Sequence, residues 1–106
     1  MTFPNDSDGD VLRRLSNSKF DFSVTTAVDF IIDFDHWPLL DCEMTLILER
    51  YSNAEAIDPE DKGSYGYVLF QIHGFVTYEF VTGIQNDATQ LARSIGGRCS
   101  DWGVLH

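Results

Sequence analysis

Residues 28–35 read VDFIIDFD, and the way this stretch alternates decides the fold class. Val28, Phe30, Ile32 and Phe34 fall on one side of an extended chain, with Asp29, Ile31, Asp33 and Asp35 on the other. Successive side chains of a strand point to opposite faces, so a period of two predicts a β-strand here. Its Val and Phe side faces a core, and its other side carries carboxylates around Ile31. Like charges that close repel and cost stability unless solvent or a partner screens them.

Downstream, Trp37, Leu40, Met44, Ile47 or Leu48, and Tyr51 recur at helical spacing. They predict a helix over 37–51 capped by Asp35 or His36, with Pro38 in its first turn, where a missing donor costs nothing. Residues 52–60 read as a loop and a weak edge strand, limited by Asp58-Pro59. A turn over Glu60–Ser64 leads into a strong strand over 65–73. That strand is apolar on both faces, with Tyr67, Leu69 and Gln71 on one and Val68, Phe70 and Ile72 on the other, which predicts a central position. Val76, Phe80, Ile84, Ala88, Leu91 and Ile95 then mark a second long helix, interrupted by Gly83 and stopped by Gly96-Gly97. A final strand over 98–105 carries Trp102 and Val104. Upstream, Val11, Leu12 and Leu15 stripe a short helix capped by Asp8 or Asp10. Residues 1–9, MTFPNDSDG, read as a flexible N-terminus, and 10–106 as a single domain.

A helix followed by β-α-β-β-α-β predicts an α+β protein. The expected form is a ferredoxin-like sandwich: a four-stranded antiparallel sheet with two helices on one face and the short N-terminal helix added. The opposite sheet face then carries Asp29, Ile31, Asp33, Tyr67, Leu69 and Gln71. Such a surface suits a basic amphipathic peptide or a second subunit of a homo-oligomer.

The charge balance narrows the function. Seventeen Asp plus Glu stand against seven Lys plus Arg, a formal net charge of −10 on 106 residues. A surface of this sign repels phosphate backbones and anionic lipid and favours a basic protein partner. A hydrophobic fraction of 43% and an aromatic fraction of 13% set the chain apart from a disordered acidic tail. Cys42 and Cys99 are too few and too distant for a disulfide framework and read as reduced thiols. The opening residues lack the basic region and apolar run of a secretory leader, and no segment is apolar enough to span a membrane. A cytoplasmic location is the expectation.

Chemistry-bearing patterns are sparse. His36, His73 and His106 show no metal-ligand spacing, and Asp33, Asp35 and His36 lack a further ligand, so neither metal nor cofactor is expected. Ser64 and Ser100 lack a nucleophile elbow. An enzyme would need a deep pocket near His73 or Asp33. Tyr65 and Tyr67 offer stacking surfaces, but the strand YGYVLFQIH lacks the glycine, aromatic and basic signature of an RNA-recognition sheet. A non-catalytic binding protein is the leading expectation. An immunity protein that neutralises a toxin, also small and acidic, is the rival within that class.

The last segment, ARSIGGRCSDWGV over 92–104, resembles the closing helix, paired glycines and Asp/Gly-Trp-Gly signature of the regulator of ribonuclease activity B family. The opening GDVLRRLSNSKFDFSVTTAVDFIIDF is similar to that family's first helix, Asp-rich turn and first strand. On this sequence the signature residues are Gly96, Gly97, Asp101, Trp102 and Gly103. The Asp-Gly-Trp-Gly order is shortened here, with Asp101 directly before Trp102. The resemblance implies a cytoplasmic bacterial protein of ferredoxin-like fold that binds the endoribonuclease ribonuclease E and inhibits RNA processing without cleaving RNA itself. It also implies a protein contact to a partly basic scaffold region of that enzyme. Asp29, Ile31, Asp33, Asp35, Tyr67 and Trp102 are the candidate partner-binding residues. Trp102 is first of all expected to anchor the core or the sheet, and Gly103 to permit a close backbone approach.

Overall fold

Val28, Phe30 and Ile32 are fully excluded from solvent, and Phe34 nearly so. They project from one face of β1, Thr26–Phe34, as the alternation predicts. The computed structural model describes residues 6–61 and 63–104. On one side β1 pairs antiparallel with β3, Tyr67–Gly74, and on the other with β4, Gly97–Val104. The short β2, Glu55–Ile57, pairs with β3. The four-stranded sheet therefore runs β2-β3-β1-β4, and the two strands with the strongest sequence signals are its central pair.

Three helices supply the other layer of this α+β architecture: α1, Ser7–Asn17; α2, Asp41–Arg50; and α3, Tyr78–Ala92. Leu12 and Leu15 of α1, Ile47 of α2, and Val81, Ala88 and Ala92 of α3 share one core with the inward face of the sheet. Phe70 sits at its centre. Its ring stacks on Phe30 with centroids 5.4 Å apart and on Tyr51 at 4.0 Å. Offset contacts of this kind add about 0.5–1.5 kcal/mol beyond area burial. Arg50 and the Tyr51 hydroxyl both bond Asp87, which ties the end of α2 to α3.

Element boundaries differ from the sequence expectations at several points. Helix α1 starts at Ser7, with the Asp6 carboxylate accepting from the Gly9 N–H at 2.8 Å, so a boundary after residue 9 would cut a helix. The expected flexible residues 1–5, Lys62 of the 60–64 turn, and Leu105 of the last strand lie outside the described residues. Helix α2 begins at Asp41, four residues later than expected. The Glu43 carboxylate accepts from the Leu40 N–H at 2.8 Å and closes the first turn there. Trp37, joined to Pro38 by a cis peptide bond, instead lies over Gly66, where an added Cβ would come within 2.5 Å of the indole. Its Nε1 donates to Asp58 at 3.1 Å. Helix α3 is capped by Thr77, whose hydroxyl accepts from the Phe80 N–H at 3.0 Å. Its most deeply buried line is Val81, Gln85, Ala88 and Ala92, with Phe80, Ile84 and Leu91 flanking it. Gly83 lies inside this unbroken helix.

Candidate functional site

The pairing register turns the outward half of each strand into a grid. Residues directly opposite in an antiparallel pair share a face. Ile57, Tyr67, Asp33 and Arg98 form one row across the sheet. Glu55, Leu69, Ile31 and Asp101 form the next, and Gln71, Asp29 and Gly103 the third. Ile31 and Leu69, both half-buried, are thus adjacent at the middle of the face that no described helix covers. Asp29 and Asp33 stand at either end of them along β1, Glu55 on the β2 side and Asp101 on the β4 side. Four carboxylates ring two aliphatic side chains, and Arg98 is the described cation on the same face. The Asp29 carboxylate accepts from the Gln71 side-chain amide at 2.7 Å, a neutral donor that leaves its charge in place.

Of the sequence candidates, Asp29, Ile31, Asp33 and Tyr67 come together on this face. Asp35 does not. Strand β1 ends at Phe34, so Asp35 sits in the following turn and its carboxylate bonds His36 Nδ1 at 2.8 Å. Trp102 does not either. It is 5% exposed, faces the helices, and donates from Nε1 to Asp8 of α1 at 3.0 Å. A bulge explains this. Ile31 pairs with Asp101 and Ile32 with Cys99, so Ser100 is the extra residue in β4. The added residue reverses the side-chain phase, sending Asp101 outward and Trp102 inward.

The other signature residues divide in the same way. Gly96 has a φ of 77° and ends the 3₁₀ turn after α3, and a Cβ there would strike the Asp35 carboxylate. At Gly97 a Cβ would meet the Phe34 ring at 2.6 Å and the Ala92 Cβ at 2.8 Å. Gly103 departs from expectation. A Cβ there would meet nothing within 4 Å, so it admits no close backbone approach and leaves a bare position opposite Asp29.

Two further sites were not visible in the sequence. Asp8 accepts from Trp102, and Gln85 donates to it at 3.2 and 3.1 Å once its amide nitrogen is turned inward. Asp6 accepts from the Tyr78 hydroxyl at 2.7 Å. The N-cap carboxylate of Asp6 and the first-turn carboxylate of Asp8 thereby fasten α1 to α3 and β4. Glu55 was missed on the open face because a three-residue strand shows no readable period. A shallow groove of about 470 Å³ between α1 and β4, lined by Val11, Leu15 and Trp102 with Arg14, Ser18 and Asp101, carries no clustered acid, base and nucleophile.

The described residues assemble little chemistry. His73 pairs with Ala27 and Asp33 with Tyr67, so these two candidates lie six residues apart along β1, about 20 Å. They do not share a pocket. Among the described residues no group of three His, Cys, Asp or Glu side chains is placed to hold a metal ion. No described helix is long and apolar enough to cross a membrane. Burial pushes the Cys99 thiol up to about 12, which keeps it an unreactive core group, whereas Cys42 is exposed on α2.

No curated protein and no solved structure matches this chain. The family described as Regulator of ribonuclease activity B matches it over residues 5–104, from the Asp6 cap of α1 to the end of β4. The match spans every element that builds the sheet and fastens α1 to it, and the chain belongs to the regulator of ribonuclease activity B family.

Proposed function

We propose that this protein regulates a ribonuclease by direct protein contact, lowering RNA processing without touching RNA. The observation that carries this reading is the uncovered sheet face, where Asp29, Asp33, Glu55 and Asp101 surround Ile31 and Leu69. Its sign opposes phosphate and suits a Lys/Arg-rich segment of a partner. Family membership supports a ribonuclease as the regulated enzyme, and ribonuclease E, with its partly basic scaffold region, is the partner we propose. The fold we read as ferredoxin-like, because its strand order taken from the other edge is β4-β1-β3-β2. The place of action we propose is the bacterial cytoplasm.

The test is cleavage of a fluorescent RNA by full-length ribonuclease E with increasing amounts of this protein. The reading expects the rate to fall on addition of the wild-type chain. Asp29→Asn combined with Glu55→Gln should require about tenfold more protein for the same effect. An unchanged rate at saturating wild-type protein contradicts the reading.

A further inference from the structure

The spacing of groups on the open face says what shape of partner segment fits it. An extended peptide laid over a sheet face cannot pair with the strands beneath, because their hydrogen bonds lie in the plane of the sheet. Over Ile31 and Leu69 its own N–H and C=O groups would be buried without partners, which is costly. A helix bonds its backbone internally and has no such cost. The face is also too acidic for a second copy of this chain, which carries the same net charge of −10.

The distances then fix a pattern. Asp29 and Asp33 are four residues apart along β1, about 14 Å. Glu55 and Asp101 are three strand steps apart across the sheet, also about 14 Å. A helix rises about 1.5 Å per residue, so about nine residues cover either span. Ile31 and Leu69 at the midpoint offer room for two apolar side chains one turn apart.

We infer that the open face binds an amphipathic helical segment of the partner protein, with an apolar pair seated on Ile31 and Leu69 and Lys or Arg about four to five residues to either side, reaching the surrounding carboxylates. This rests on the reading that the face is the regulatory contact, and adds the form of what it contacts. Arg98, opposite Asp33, disfavours a cation at that corner, so the strongest cation positions are those facing Asp29, Glu55 and Asp101.

The probe is an amidated, alanine-rich peptide of about 18 residues, with two leucines one turn apart bracketed by arginines. Its comparator has the same composition with the leucines moved to opposite helix sides. Fluorescence anisotropy should show the striped peptide binding at least about tenfold more tightly, with a gain in peptide helicity. Asp29→Asn combined with Asp101→Asn, which keep an acceptor oxygen for the Gln71 amide and for the Trp102 N–H, should weaken it about tenfold with unchanged melting. Leu69→Thr, which keeps a strand-forming residue, should erase the preference for the striped peptide. Equal binding of the two peptides, or a preference that survives Leu69→Thr, overturns the inference. The RNA-cleavage assay separates the two levels. If Leu69→Thr protein inhibits ribonuclease E fully, the helical contact is wrong and the regulatory role stands. If wild-type protein leaves cleavage unchanged while the striped peptide binds selectively, the regulatory role is wrong and the preference of the face stands.

Discussion

His36 stands between two carboxylates, with Nδ1 at 2.8 Å from Asp35 and Nε2 at 2.9 Å from Glu43. The hydrogen bond to Asp35, then that to Glu43, raises its pKa above the ordinary 6.5. The Leu40 N–H and then His36 hold Glu43 below its ordinary 4.5. A raised histidine stabilises the fold fully below 6.5 and loses that contribution as pH climbs through the raised value. A lowered glutamate contributes above 4.5 and loses it as pH falls through the lowered value. These two groups together therefore favour the fold most between 4.5 and 6.5. A proton NMR titration should place the His36 midpoint above 6.5, and Glu43→Gln should bring it down. A midpoint unmoved by Glu43→Gln would show that the ion pair does not form. The cysteines give a second residue-scale expectation. A thiol reagent at neutral pH should label exposed Cys42 in the folded protein and buried Cys99 only after unfolding, as read by mass spectrometry.

Elements were legible in the sequence where periodicity was long enough to speak for itself. Strand β1 shows it over seven residues, 28–34, and the structure keeps every one on its expected side. Strand β3 was legible as a run apolar on both faces, which fits its internal place in the sheet. Helical spacing from Trp37 onward predicts an earlier start for α2, while the hydrogen bond from the Leu40 N–H to the Glu43 carboxylate sets the observed one. The bulge in β4 was invisible, since register depends on the neighbouring strand and not on β4 alone. With it went the outward direction of Asp101. The element-scale consequence is testable. Gly97→Ala should destabilise by about 1–3 kcal/mol in urea unfolding, because the new methyl meets both Phe34 and Ala92. Trp102→Phe keeps the ring buried and removes the bond to Asp8, which should cost about 0.5–2 kcal/mol and loosen α1 first in hydrogen exchange. Uniform loosening would mean that Asp8 and Trp102 do not hold α1.

On the scale of the whole molecule, the described helices all cover one sheet face and none covers the other. The acidic excess was plain from composition, but its gathering around Ile31 and Leu69 was only half visible. Asp29 and Asp33 came from one strand's own pattern, while Glu55 and Asp101 joined them through pairing across three strand steps. A contact built on this face should weaken as salt rises from about 50 to about 200 mM, because exposed charges are screened over a shorter length. The most direct measurement is methyl cross-saturation NMR of the labelled protein bound to ribonuclease E. Attenuation should fall on Ile31 and Leu69 of the open face, with Leu40 and Leu48 on the helical side unaffected. Attenuation at Leu40 and Leu48 with Ile31 and Leu69 untouched would contradict it.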